Sequence, residues 1–213
     1  MPTALRDTVK AVVAAVVPLE IQSRLIRKDI SRPVELWDRE FSSGAWRHLE
    51  SAAEMPRYAV IAGYFQQAAN GPAGNGAVLD VGCGAGLLQP WLRRVGYSGY
   101  VGVDLSAAAI EQARRYADAT TQFKSGNAVT YEPDQAFDMI VFNEMLYYMP
   151  DPVATLRRYA RYLTPTGSYV ISMWRSRDGL NAWRRSRGAL AVLDKTRIRH
   201  SGTEWNVRLC RPN

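Results

Sequence analysis

A carboxylate, three alternating glycines and a second carboxylate are the residues of this 213-residue chain whose types and spacing can do chemistry together. The first stretch reads AVLDVGCGAGLLQPWL, from Ala77 to Leu92: apolar residues run into Asp80, then come Gly82, Gly84 and Gly86, then a helical pattern. Glycines between a strand and a helix let a ligand press against the backbone, and the helix N-terminus beyond offers unpaired N–H groups. Leu87 stands where a G-x-G-x-x-G turn has its third glycine, which disfavours a dinucleotide-dependent dehydrogenase. Asp104 closes the next strand pattern, 18 residues after Gly86, where a carboxylate can accept hydrogen bonds from both hydroxyls of a ribose. It could instead cap the following helix, a task for which Ser106 is better placed.

Strands and helices in alternation position these groups. Ahead of them, helical patterns cover about 4–17, 34–50 and 54–69, and the breaker NGPAGNG follows at 70–76. From there AVLDVG is a strand, LLQPWLRRVG a helix, YVGVDLS a strand and AAAIEQARRYAD a helix capped by Ser106. TQFKSG is a short strand, NAVTYEP a loop and FDMIVFNE a strand; DPVATLRRYARYL is a helix opening at Asp151-Pro152. SYVISMW is the fifth strand, LNAWRRSRGAL a helix, and VLDKTRIRH and TEWNVRLCR form a hairpin about Ser201-Gly202. The expectation is an α/β fold with a mostly parallel sheet, covered on both faces and ending antiparallel. It forms one domain over 1–213, with a helical part at 1–70 and a core at 76–213.

Composition narrows the function classes. At 47% hydrophobic and 22% charged residues the chain has ordinary globular values. AVVAAVVPL, Ala11 to Leu19, is too short to span a bilayer; Asp7 precedes it and no clean cleavage site follows, which argues against a secretory signal. Val9, Val12, Val13, Val16 and Val17 share one helical face there, a route to peripheral contact with a membrane surface. Cys83 and Cys210 form no C-x-x-C pair, and His48 and His200 are the only histidines, so neither a disulfide framework nor a metal site is expected and a cytoplasmic setting is the default. Residues 175–213 carry ten basic and three acidic residues, the whole of the net charge of +7. That segment either attracts a polyanion or is a solvated face.

VLDVGCGAG followed by VGVDLS resembles motifs I and II of the class I S-adenosylmethionine-dependent methyltransferases. KSGNAVTY, FDMIVFNEMLYYMPDP and YLTPTGSYVIS agree with the family's later motifs in order and spacing, with Thr166 in place of a glycine. The resemblance covers about 76–213 and implies a Rossmann-like sheet of seven strands whose last strand is antiparallel, with an N-terminal helical lid. It implies S-adenosyl-L-methionine as cofactor and S-adenosyl-L-homocysteine as product. Asp80 and the backbone of Gly82, Cys83 and Gly84 then take the methionine end, and Gly86 is cofactor-binding with them; Asp104 takes the ribose, with Leu105, Asn127 and Ala128 at the adenine and Asn143 facing the sulfonium. Cys83 is a small filler, not a nucleophile. Trp46, Arg57 and Tyr58 in the lid are candidates to approach the cofactor, Arg57 by a bidentate pair with its carboxylate; ordinary packing is the alternative.

Glu144, Tyr147 and Tyr148 follow Asn143 and are the catalytic candidates: a carboxylate or phenol there can orient an amine or hydroxyl and accept its proton. The tyrosines can equally be packing residues, and His48 and His200 are weaker candidates. The E-x-L-Y-Y form resembles rhizobial nodulation-factor N-methyltransferases, which act on an amino sugar. The expected activity is methyl transfer to oxygen or nitrogen of a small molecule, a sugar or specialised metabolite, by a monomer or homodimer. The alternatives are an RNA or other polyanion methyltransferase and a non-catalytic cofactor-binding protein. No N-P-P-Y motif is present, which argues against a nucleic-acid acceptor.

Overall fold

Strands buried on both faces need near-continuous apolar runs, and AVLDV, YVGV, MIVF and YVISM provide them. The computed structural model describes residues 30–69, 76–200 and 202–213; the helix expected at 4–17, and with it the expected membrane contact, lies outside the described residues. β1 (Ala77–Val81), β2 (Gly99–Asp104), β3 (Thr121–Ser125), β4 (Phe137–Asn143) and β5 (Leu163–Trp174) are parallel. β6 (Leu190–His200) and β7 (Thr203–Pro212) form the closing hairpin, and β7 inserts antiparallel between β5 and β6. The seven-stranded order is β3-β2-β1-β4-β5-β7-β6. Chain direction reverses its walk across the sheet at β1, so a crevice opens between the C-terminal ends of β1 and β4, where ligands of open α/β sheets bind. β7 runs the other way, and its first residues therefore arrive at that same edge.

Helices cover both faces. α1 (Val34–Ser42) and α2 (Met55–Ala69) precede the sheet; α3 (Gln89–Val95) and α4 (Ala107–Ala113) follow β1 and β2; α5 (Pro152–Ala160) and α6 (Arg177–Ser186) flank β5. On one face Tyr58, Ile61 and Phe65 of α2 and Leu92 of α3 pack on Val78, Val141, Val170 and Val207. On the other, Leu156 and Tyr159 of α5 and Trp183 of α6 meet Phe142, Tyr169 and Ile171. Two expected caps set helix starts: Ser106 Oγ accepts Ala109 N–H at 3.1 Å, and Asp151 accepts Val153 and Ala154 N–H ahead of Pro152; the helix expected over 180–190 instead starts at Arg177, where Ser176 accepts Gly179 N–H.

The helix expected over 34–50 is two pieces. α1 stops at Ser42, Gly44 takes a φ of +77°, and a short 3-10 helix, Arg47–Glu50, follows. A left-handed glycine ends the helical run there. The break brings Trp46 back against its own helix, its ring 5.7 Å from Phe41 and 6.4 Å from Trp37. The helix expected over 151–163 ends at Ala160, because Leu163 already pairs with Phe137 as the start of β5; a bulge between Phe137 and Met139 absorbs the added length.

Candidate active site

At the C-terminal edge of the sheet lies a cavity of about 1160 Å³, larger than a site for one small ligand. The turn after β1 and the end of β2 supply one wall. Gly82 and Gly84 line it with φ of +75° and +53°, and a Cβ on Gly82 would come within 3.0 Å of Met145 Cβ. Within the turn itself Gly82 and Cys83 N–H both donate to Val103 O, Gly84 N–H to Asp104, and Gly86 N–H to Cys83 O. The turn therefore brings its backbone close to the cavity, where Ala85, Leu87 and Leu88 beyond it also line the wall. Cys83 lines the cavity too; its Sγ lies near Gly102, where a Cβ would come within 2.9 Å of the sulfur, and burial pushes the thiol well up, so it is an inert filler.

Asp104 ends β2 on the cavity wall. One carboxylate oxygen accepts Gly84 N–H at 2.9 Å and the other accepts Ser106 N–H at 2.9 Å. Each oxygen keeps a further lone-pair site, so two outside hydroxyls can be accepted at once. Burial raises its pKa against the lowering by these two N–H groups. Leu105 and Ala128 also line the cavity.

Asp80, Gly86 and Asn127 are not on the wall. Asp80 is 1% exposed beneath the turn; its Oδ2 accepts Tyr100 O–H at 2.6 Å while Oδ1 has no partner, and burial pushes its pKa up to about 7. Gly86 is a packing glycine, since a Cβ there would sit 3.1 Å from Ala113 and from the Phe123 ring. Asn127 spends its Oδ1 on Val129 N–H, closing its own loop, which leaves Ala128 to line the cavity in its stead.

The opposite end gathers around Arg57, a guanidinium only 1% exposed. It donates to Asn143 Oδ1 at 2.7 Å and Glu54 Oε2 at 2.6 Å, lies 3.8 Å from Glu144 Oε1, and rests over the Tyr58 ring. A buried cation needs such partners, and its Nε remains without one. Glu144 has a φ of +58°, a left-handed conformation that costs a bulky residue energy and persists where surroundings impose it. Those surroundings are donors: Ser172 Oγ at 2.8 Å, Trp174 N–H at 2.8 Å and Tyr147 O–H at 3.1 Å. Burial raises the Tyr147 phenol well above its usual range and takes Tyr148 up to about 12. Both rings line the cavity, Tyr148 packing edge-on to Trp37.

Trp46 and Arg57 thus meet the sheet-edge residues in one cavity, as do Glu144, Tyr147 and Tyr148. His48 lines it as well, its Nδ1 3.1 Å from Ala45 O, so that nitrogen carries the proton. His200 pairs with Thr203 at the hairpin end, off the cavity wall. Sequence reasoning missed Trp37, Phe41, Glu54, Trp174, Thr203 and Trp205 on the lining. Glu54 had a legible signal, its i,i+3 spacing to Arg57; the β7 residues had none, because only the antiparallel insertion brings them there. Among the described residues no group of three or more His, Cys, Asp or Glu is placed to hold a metal ion, and no helix is long and apolar enough to cross a membrane.

Residues 46–211 match the family model described as a methyltransferase domain, and the chain belongs to that family. A ubiquinone biosynthesis O-methyltransferase of Actinobacillus pleuropneumoniae is 33% identical over 118 residues, 51% of this chain and 50% of the relative. The chain spans about half the length of the curated relatives it matches. Among solved structures, the N-methyltransferase NodS of Bradyrhizobium japonicum WM9, in complex with S-adenosyl-L-homocysteine, superposes with a TM-score of 0.70 at 17% identity, over 86% of this chain and 98% of that one. The 1,6-didemethyltoxoflavin-N1-methyltransferase of Burkholderia thailandensis, with its namesake ligand and S-adenosylhomocysteine bound, gives 0.67 at 19%, over 84% and 87%. At these identities the structures establish a shared Rossmann-like methyltransferase fold.

Proposed function

We propose that the chain is an S-adenosylmethionine-dependent methyltransferase acting on oxygen or nitrogen of a small molecule. The observation that carries this is the pairing, in one cavity, of Asp104 held by two N–H groups at one end with the Arg57–Asn143 pair at the other. The residues fit the cofactor. Asp104 suits a ribose diol, Leu105 and Ala128 an adenine, and the Arg57 guanidinium on the wall the carboxylate of a methionine moiety. Bound there, the cofactor supplies a methyl group on a sulfonium, electrophilic enough that alignment is the protein's main task.

Glu144, Tyr147 and Tyr148 serve that alignment. Glu144 accepts from three donors and Arg57 lies beside it, so it fixes the others in place rather than awaiting a proton. The raised phenols stay protonated at neutral pH and donate hydrogen bonds. An acceptor for this site reaches its nucleophilic form largely unaided: an amine with a neutral fraction, or an acidic hydroxyl. Trp37, Tyr147, Tyr148, Trp174 and Trp205 wall the part of the cavity away from Asp104, which suits a ring, from a sugar or an aromatic specialised metabolite.

The basic C-terminal segment offers little support for a polyanion acceptor. Arg175, Arg197 and Arg199 share Glu204, Arg208 lies over Trp183, Arg185 donates to Pro150 O and Arg211 to Thr166 O. The test is turnover with methyl-labelled S-adenosylmethionine and panels of amino sugars, phenols, heteroaromatic amines and total RNA. Label in a small molecule supports the proposal; label in RNA alone overturns it.

A further inference from the structure

Both oxygens of Asp104 depend on residues that α1 touches. Ser106, whose N–H holds Oδ1, donates its hydroxyl to Asp38 Oδ1 at 2.6 Å, and the same Asp38 oxygen accepts Ala108 N–H at 3.0 Å. Ser106 is fully buried and its Oγ also accepts Ala109 N–H, so the residue has one orientation open to it. Gly84, whose N–H holds the other oxygen, faces Phe41, and a Cβ at Gly84 would lie 3.5 Å from that ring. Asp38 and Phe41 stand three apart on α1 and so share a helix face. Gln112 of α4 adds a hydrogen bond to Phe41 O at 3.1 Å.

We propose that Asp38 is a positioning residue for the cofactor: through Ser106 it fixes the carboxylate of Asp104 and ties the seating of α1 to occupancy of the ribose site. This rests on the cofactor assignment above. Lid seating and cofactor retention then become one event, since α1 cannot leave without freeing Ser106, and with it one of the two donors that orient Asp104. Asp38 touches no reacting atom; it acts through Ser106.

Both bonds use a single Asp38 oxygen as acceptor, so the amide of asparagine can replace it while alanine cannot. The test is calorimetric binding of S-adenosylhomocysteine to the full chain as wild type, Asp38→Asn and Asp38→Ala, with stopped-flow dissociation and steady-state kinetics on the same proteins. Losing a hydrogen bond to a charged group predicts binding weaker by about tenfold or more in Asp38→Ala, with faster dissociation, and within about threefold of wild type in Asp38→Asn. KM for S-adenosylmethionine rises in Asp38→Ala while kcat at saturation holds; a general structural defect would instead lower kcat with the fraction of folded enzyme. Undiminished affinity in Asp38→Ala, or Asp38→Asn as weak as Asp38→Ala, overturns the inference alone. Wild type that does not bind overturns the cofactor assignment and the inference with it.

Discussion

Asp80 and Glu144 show how much of this site is held in place against local preference. Asp80 keeps one oxygen unpartnered under the glycine turn, and burial lifts its pKa from 3.8 to about 7. The folded chain therefore holds a proton that the unfolded chain releases, so this group's contribution is most favourable in acid and declines as pH rises from about 4 to 7. Ligand-free Asp80→Asn is expected to lack that decline: its unfolding temperature relative to wild type rises between pH 4 and pH 8. Thermal scans at the two pH values check this. Glu144→Gln keeps an acceptor for Ser172 or Trp174 but not for both oxygens' donors; we expect turnover to fall about tenfold with the acid limb of the pH–rate profile kept. Disappearance of that limb would make Glu144 a base instead. Asp104 and Arg57 could be found in sequence because their chemistry goes with their position at a strand end or beside a motif. Asp38 could not, since nothing in VELWDREFS distinguishes a carboxylate that reaches Ser106 from one facing water.

Elements were legible where polar punctuation marks them. Ser106 and Asp151-Pro152 cap α4 and α5, whereas α6, expected from Leu180, begins three residues earlier behind Ser176. What escaped is where a periodic pattern continues past the end of its element: 34–50 remains helical in pattern, yet Gly44 breaks it and sends Trp46 back over Phe41. Gly86 shows the same limit in the glycine turn. It shares the alternation of Gly82 and Gly84, but it faces α4 and β3 rather than the cavity. Gly86→Ala combines a positive φ with a 3.1 Å approach to Ala113, so destabilisation of about 1–3 kcal/mol is expected, lowering Tm by several degrees. Binding of S-adenosylhomocysteine per folded molecule stays near wild type; a large loss of affinity at unchanged Tm would return Gly86 to the cofactor site.

At the scale of the whole molecule, the parallel strands and the reversed β7 deliver residues from both ends of the chain to one edge of one sheet. α1 brings Trp37 and Phe41, β7 brings Thr203 and Trp205, and the cavity between them has room for a cofactor and an acceptor together. The charge excess of +7 lies in residues 175–213, which build α6 and the closing hairpin, and several of its arginines are spent on Glu204, Trp183 and backbone carbonyls. The central claim is that this edge holds S-adenosylmethionine through Asp104, and thermal unfolding with and without S-adenosylhomocysteine, on wild type and Asp104→Ala, tests it most directly. At about 100 times its dissociation constant the ligand adds roughly 2.7 kcal/mol, a rise of about 5–10 °C for a domain of this size. The account predicts that rise in wild type and its near-complete loss in Asp104→Ala. No rise in wild type, or an equal rise in both proteins, would contradict it.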